Sequence, residues 1–116
     1  MTRREPVTEL RLERHAAVVE RDLPTIYGHI AADNPAAAED VLDAVEQTFQ
    51  QIAQHPNSGV AYPTRNPKLR DLRMVPIRGF SDYLVFYRAE ATSVRILYVT
   101  HGARNLFRLF RREFRQ

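Results

Sequence analysis

The 116-residue chain has no cysteine, so disulfides, thiolate metal sites and cysteine nucleophiles are excluded. Its four histidines, His15, His29, His55 and His101, show no ligand spacing such as i, i+4. No metal is therefore expected, and no cofactor. Glycine is equally sparse. Gly28, Gly59, Gly79 and Gly102 lie too far apart to form a phosphate-binding loop. Ser58, Ser81 and Ser93 fall in turns or at strand ends, so no Ser–His–Asp triad is signalled. No apolar run approaches the roughly 20 residues that span a bilayer, so no membrane association is expected. Two arginines near the N-terminus are followed by no apolar stretch, which argues against a secretory signal and leaves a cytoplasmic protein as the expectation.

What is present fits one soluble domain over residues 1–116. Hydrophobic residues make up 44% and charged residues 27%, ordinary values for a chain with one core. The net charge of +3 hides an asymmetry. Residues 1–60 carry five Arg and ten Asp or Glu, a balance of −5. Residues 61–116 carry eleven Arg and one Lys against four Asp or Glu, a balance of +8. Such a basic half suits an acidic partner, whether nucleic acid or protein, or else a solvated basic face.

Residues 1–9 read as a polar arm. Leu10 to His15 alternates apolar and charged residues and predicts a short strand. Leu23, Ile26, Tyr27 and Ile30 form a helical stripe, with Asp22 as N-cap and Pro24 in the first turn. A helical turn is allowed before it, around Ala17 to Arg21. Asn34-Pro35 ends this helix and starts a second. There Ala38, Val41, Leu42, Val45, Phe49 and Ile52 make one stripe, to about His55. The reversal is too short for anything but an antiparallel helical hairpin. Residues 56–63 read as a loop. Three antiparallel strands follow, near 69–77, 81–88 and 93–101. Tyr83, Val85 and Tyr87 share one face of the second, and Leu84 and Phe86 the other. In the third, Ile96 and Tyr98 are expected to oppose Leu97 and Val99. Residues 103–116 form a basic amphipathic tail, a candidate C-terminal helix. The fold class is α+β: an N-terminal strand, a two-helix hairpin, a three-stranded antiparallel sheet and that tail helix.

The last two strands are apolar on both faces, and one helical hairpin covers one face only. The uncovered positions, Leu84, Phe86, Leu97 and Val99 with Arg104 nearby, are candidates for a partner's segment. Arg70, Arg73 and Arg78 lie on or beside the first central strand, where a basic strip could meet acids or phosphates or simply keep the strand soluble. With the tail residues Phe107, Arg108, Phe110 and Arg111 they are the contact candidates for a larger target, since basic and aromatic side chains make the best anchors. Tyr83, Tyr87 and Tyr98 could stack on bases, but central-strand positions favour core packing. His101 and Arg104 could act as proton-transfer group and phosphate holder, or could simply close the strand end. No second proton-transfer group clusters with them in the sequence.

From Asp22-Leu23 to Arg104 the chain resembles the RelE/ParE superfamily of bacterial toxins from type II toxin–antitoxin modules, most closely the ParE branch. The matching features are the helix with Ile26 and Ile30, and the start at Asn34-Pro35-Ala36-Ala37-Ala38. Further along come Pro56 with Gly59, then Leu69-Arg70, Gly79-Phe80 and Val85-Phe86-Tyr87-Arg88. The last is His101-Gly102-Ala103-Arg104. Asn105, the arm before Leu10 and the long tail depart from the pattern. The resemblance implies a helical hairpin on an antiparallel sheet. It also implies a cognate antitoxin, encoded nearby, whose segment folds on binding to form a hetero-oligomer. ParE-like toxins inhibit DNA gyrase by binding it. RelE-like relatives instead cut mRNA on the ribosome, for which Arg70, Arg73, His101 and Arg104 are the candidates, with Tyr87 weaker. Placing the single lysine, Lys68, in a loop favours the ParE branch. A third possibility is an inactive relative that only binds antitoxin.

Overall fold

The computed structural model describes residues 10–62 and 65–102. The predicted tail helix, with Arg104, Phe107, Arg108, Phe110 and Arg111, lies outside the described residues, as do residues 1–9. Strand β1 spans Arg11–Arg14 and is followed by a π-helical turn at Val18–Asp22. Helix α1 covers Leu23–Asp33 and α2 covers Pro35–Gln54. Then come β2 (Val60–Ala61), a 3-10 turn (Pro67–Leu69), β3 (Leu72–Ile77), β4 (Phe80–Ala89) and β5 (Ser93–His101).

The Asn34-Pro35 signal works as expected. The Asn34 side chain accepts a hydrogen bond from the Ala37 N–H at 3.1 Å, and Pro35 occupies the first helical position. With one residue between them, α1 and α2 pack as a hairpin. Asp22 behaves differently. The helical turn runs straight through it, so it caps nothing. Its carboxylate instead accepts the Val99 N–H at 3.1 Å, in a buried position far along the chain. The helical turn before α1 places that carboxylate against the outer edge of β5, past the end of β1.

The sheet has five strands in the order β1-β5-β4-β3-β2, not three. β1 joins as a parallel edge beside β5, and the other pairings are antiparallel. β2 arises inside the segment read as a loop, where two residues pair with Arg73 and Met74. β3 also begins later than expected, at Leu72. Leu69 belongs to the 3-10 turn, whose start is fixed by the Asn66 side chain accepting from the Lys68 N–H at 3.0 Å.

The main core lies between α2 and one sheet face. Val41, Val45, Phe49 and Ile52 meet Ile77, Val85, Tyr87, Val94, Ile96 and Val99. Alternation along β4 is as expected, with Tyr83, Val85 and Tyr87 toward the helices. On β5 it fails. The register shifts between Phe86 and Tyr87 on β4, so Tyr87 pairs with Ile96 and Phe86 with Tyr98, leaving Leu97 as an extra residue. A bulge of one residue reverses the faces of everything beyond it. Ile96 and Val99 therefore share the helix face, and Leu97 and Tyr98 belong to the opposite one. Gly79, with φ of 81°, turns the chain between β3 and β4, a conformation that a side chain disfavours.

Candidate functional site

The second sheet face has no helix of its own among the described residues. A smaller cluster of Leu69, Leu72, Phe86, Leu97 and Tyr98 is buried there, and Tyr62, Met74 and Leu84 lie half-buried over it. The covering comes from the segment between β2 and β3. Tyr62 sets its ring edge-on to Phe86 at 6.2 Å, and Phe86 meets Tyr98 in the same way at 6.5 Å.

That cover is partial. The register aligns Val60, Met74, Phe86 and Tyr98 across the sheet, and Pro76, Leu84 and Thr100 in the next row. Val60 is 65% exposed and Pro76 is exposed, while Met74 and Leu84 are half-buried. These four make an apolar strip at the β2–β3–β4 side of the face. Toward the other end the row Leu72, Arg88, Arg95, Glu13 crosses the sheet. Arg95 and Arg11 both approach Glu13 at 3.5 Å, so two arginines share one acid. Arg88, cross-strand from Arg95, donates to the Lys68 carbonyl. The face thus grades from apolar to basic.

Placed on this frame, the candidate residues separate. Leu84, Phe86 and Leu97 lie on the second face, with Phe86 and Leu97 buried and Leu84 partly accessible. Val99 does not belong with them: the bulge turns it into the main core at 2% exposure. Arg78 sits in the β3–β4 turn, where its backbone N–H donates to the Thr48 hydroxyl at 3.3 Å. Its neighbours there include Glu46, Gln47 and Gln50 of α2.

Arg73 and Tyr87 are cross-strand neighbours that together fasten the segment after α2. The Tyr87 hydroxyl accepts the Gly59 N–H at 2.9 Å and donates to the Pro56 carbonyl at 2.7 Å. Arg73 donates to the Gly59 carbonyl at 2.7 Å. Gly59 is required for this approach, because a Cβ there would lie 2.6 Å from the Tyr87 hydroxyl oxygen. The Pro56 and Gly59 pattern noted in the sequence has its physical reason in this clamp. The signal was present in the loop, but the partner that explains it is far away in β4.

Of the nuclease candidates, His101 and Arg73 do not come together, although Arg70 and Arg73 line one recess. His101 pairs with Tyr83 and sets its ring edge-on to it at 5.2 Å. Arg73 pairs with Tyr87, four residues along the same strand. That separation is roughly 13 Å along the sheet, with His101 a further strand across. Among the described residues no group of three or more His, Cys, Asp or Glu is placed to hold a metal ion. Nor is any helix among them long and apolar enough to cross a membrane. What the described residues present is an apolar strip, a basic flank and hydrogen bonds that hold loops in place.

A helical hairpin on one side of a mainly antiparallel sheet, with an opposite face only half covered by described residues, defines a small α+β domain. The family model for the ParE toxin of type II toxin–antitoxin systems (parDE) matches residues 14–106, and the chain belongs to that family. Among solved structures it is similar to the chromosomal ParDE toxin–antitoxin system from P. aeruginosa. The TM-score is 0.65 and the identity 18%, over 80% of this chain and 96% of that one. At that identity the likeness is one of fold. Among curated proteins no sequence relative is found.

Proposed function

We propose that this ParE-family toxin arrests growth by binding DNA gyrase and is neutralised by an antitoxin segment lying on the half-covered sheet face. The observation that carries the second part is the strip of Val60, Met74, Pro76 and Leu84 beside the Arg88–Arg95 row. A segment with apolar anchors and an acidic end complements both, and a sheet face with no helix over it among the described residues leaves room for it. Leu84, with Phe86 and Leu97 beneath, is the centre of that contact.

Gyrase binding rests on family membership. The separation of His101 from Arg73 supports a binding mode over the ribosome-dependent nuclease, which needs a proton-transfer group beside a phosphate holder. Arg70, Arg73 and Arg78 remain the gyrase-contact candidates within the described residues. The test is gyrase supercoiling and DNA cleavage measured beside mRNA cleavage on programmed ribosomes. Inhibition of supercoiling with intact mRNA supports the proposal. Cleaved mRNA with unaffected gyrase assigns the nuclease activity, and silence in both assays assigns an inactive antitoxin-binding relative.

A further inference from the structure

A recess of about 200 Å³ opens where β3 begins, lined by Asn57, Ala61, Arg70, Asp71, Arg73 and Ala89. Two of these carry guanidinium groups. Arg73 is half-buried, and its hydrogen-bond partners, the carbonyls of Gly59 at 2.7 Å and Asn57 at 3.4 Å, are both neutral. Arg70 is exposed at the rim. Among the described residues neither has an acid within ion-pairing distance, although Asp71 lines the same space. Two like charges and one acid leave the recess with a single positive charge in excess. The clamp on the segment after α2 holds Arg73 in place, so its orientation is fixed before any ligand arrives.

We propose that this recess receives one carboxylate from an acidic partner segment, held between Arg70 and Arg73. The volume is below the roughly 300–1,000 Å³ of pockets that enclose whole small molecules, so the ligand is a group and not a molecule. A carboxylate ends its side chain and can enter a narrow recess. A nucleic-acid phosphodiester is flanked by two sugars and cannot enter as an end group. One negative charge balances the excess, and a planar carboxylate suits paired guanidinium donors. The identity of the partner as the antitoxin rests on the proposed function; the chemistry of the recess does not.

The test uses the full chain with ¹⁵N-labelled arginine, following each guanidinium Nε–Hε signal by NMR. The probes are glutarate and, separately, a single-stranded oligonucleotide. Glutarate is expected to shift Arg70 and Arg73 saturably while Arg65 and Arg78 stay in place. Arg70→Gln should weaken that binding roughly tenfold, the scale of a lost charge-assisted hydrogen bond. Ala89→Leu fills the recess with both charges retained and should abolish it, with an unmoved Gly59 amide reporting an intact clamp. Equal drift of all arginines, or undiminished binding in Ala89→Leu with its clamp intact, overturns the proposal. A stronger joint response of Arg70 and Arg73 to the oligonucleotide also overturns it, in favour of phosphate. Each of these failures leaves the toxin reading standing, because that reading is tested by growth arrest and by antitoxin binding.

Discussion

The two faces of this sheet are built from the same kinds of residue and finished differently. On the helix side, alternate positions of β3 and β4, with Val94, Ile96 and Val99 of β5, meet the stripe of α2, and most of them are fully buried. On the other side the apolar residues are as large, but their cover is a loop, one tyrosine ring and little else among the described residues. Burial on the first face secures the fold. Incomplete burial on the second leaves apolar area beside a basic flank among the described residues. Among the described residues one helical hairpin closes one face of the five-stranded sheet, and under the proposed function the second is the means of association.

The comparison breaks most readily at the core. Phe49, fully buried under the Arg14 guanidinium, should cost about 3–5 kcal/mol when changed to alanine. Urea denaturation measures this, and a cost below about 1 kcal/mol would remove the helix face from its stabilising role. The loop clamp comes next. Tyr87→Phe strips the Gly59 N–H and the Pro56 carbonyl of their partner and should cost roughly 1–3 kcal/mol. Amide exchange at Gly59 should rise with it. Asp22→Ala should fall in the same range, because it leaves the Val99 N–H without its acceptor. Asp22→Asn, which keeps an acceptor oxygen, should recover much of the loss.

On the second face the stability effect should be smaller still. Leu84→Ser removes a half-buried contact and should change the urea midpoint by less than about 1 kcal/mol of stability. The smallest effect lies away from the sheet. Tyr27 of α1 donates to Glu39 of α2 at 2.6 Å, and that hydrogen bond, with the carboxylate's charge and then burial, raises the phenol above its ordinary 10.0. The contribution is present below the unfolded pKa and is lost as pH rises through the higher folded value. Glu39→Gln should bring the Tyr27 titration, followed by NMR, back toward 10.0.

The helices were legible because their signals are local. Asn34 and Pro35 adjoin each other, and the α2 stripe runs unbroken through the sequence. The strand positions were legible from alternation for the same reason. What escaped depends on residues that meet only in the fold. The extra residue at Leu97 does not disturb the apolar pattern, yet it moves Val99 from the open face to the core. β2 is two residues inside a loop composition, and β1 finds its parallel partner at the far end of the chain. Asp22 looked like a cap because it precedes a helix stripe with proline, and only the tertiary structure reveals the Val99 N–H waiting for it. The apolar character of the second face was readable. Its membership was not: Val60, Met74 and Pro76 join it through pairing, and the basic row through register.

The central claim is that the second face serves a partner and the first serves the fold. Its most direct test is calorimetric binding of the cognate antitoxin to the wild-type chain and to a Met74→Ser, Leu84→Ser double variant. Both substitutions fall on the apolar strip and outside the main core. The account predicts a loss of affinity of at least about tenfold, the scale of a central interface anchor, with the urea midpoint close to wild type. Unchanged affinity in a folded double variant would contradict it.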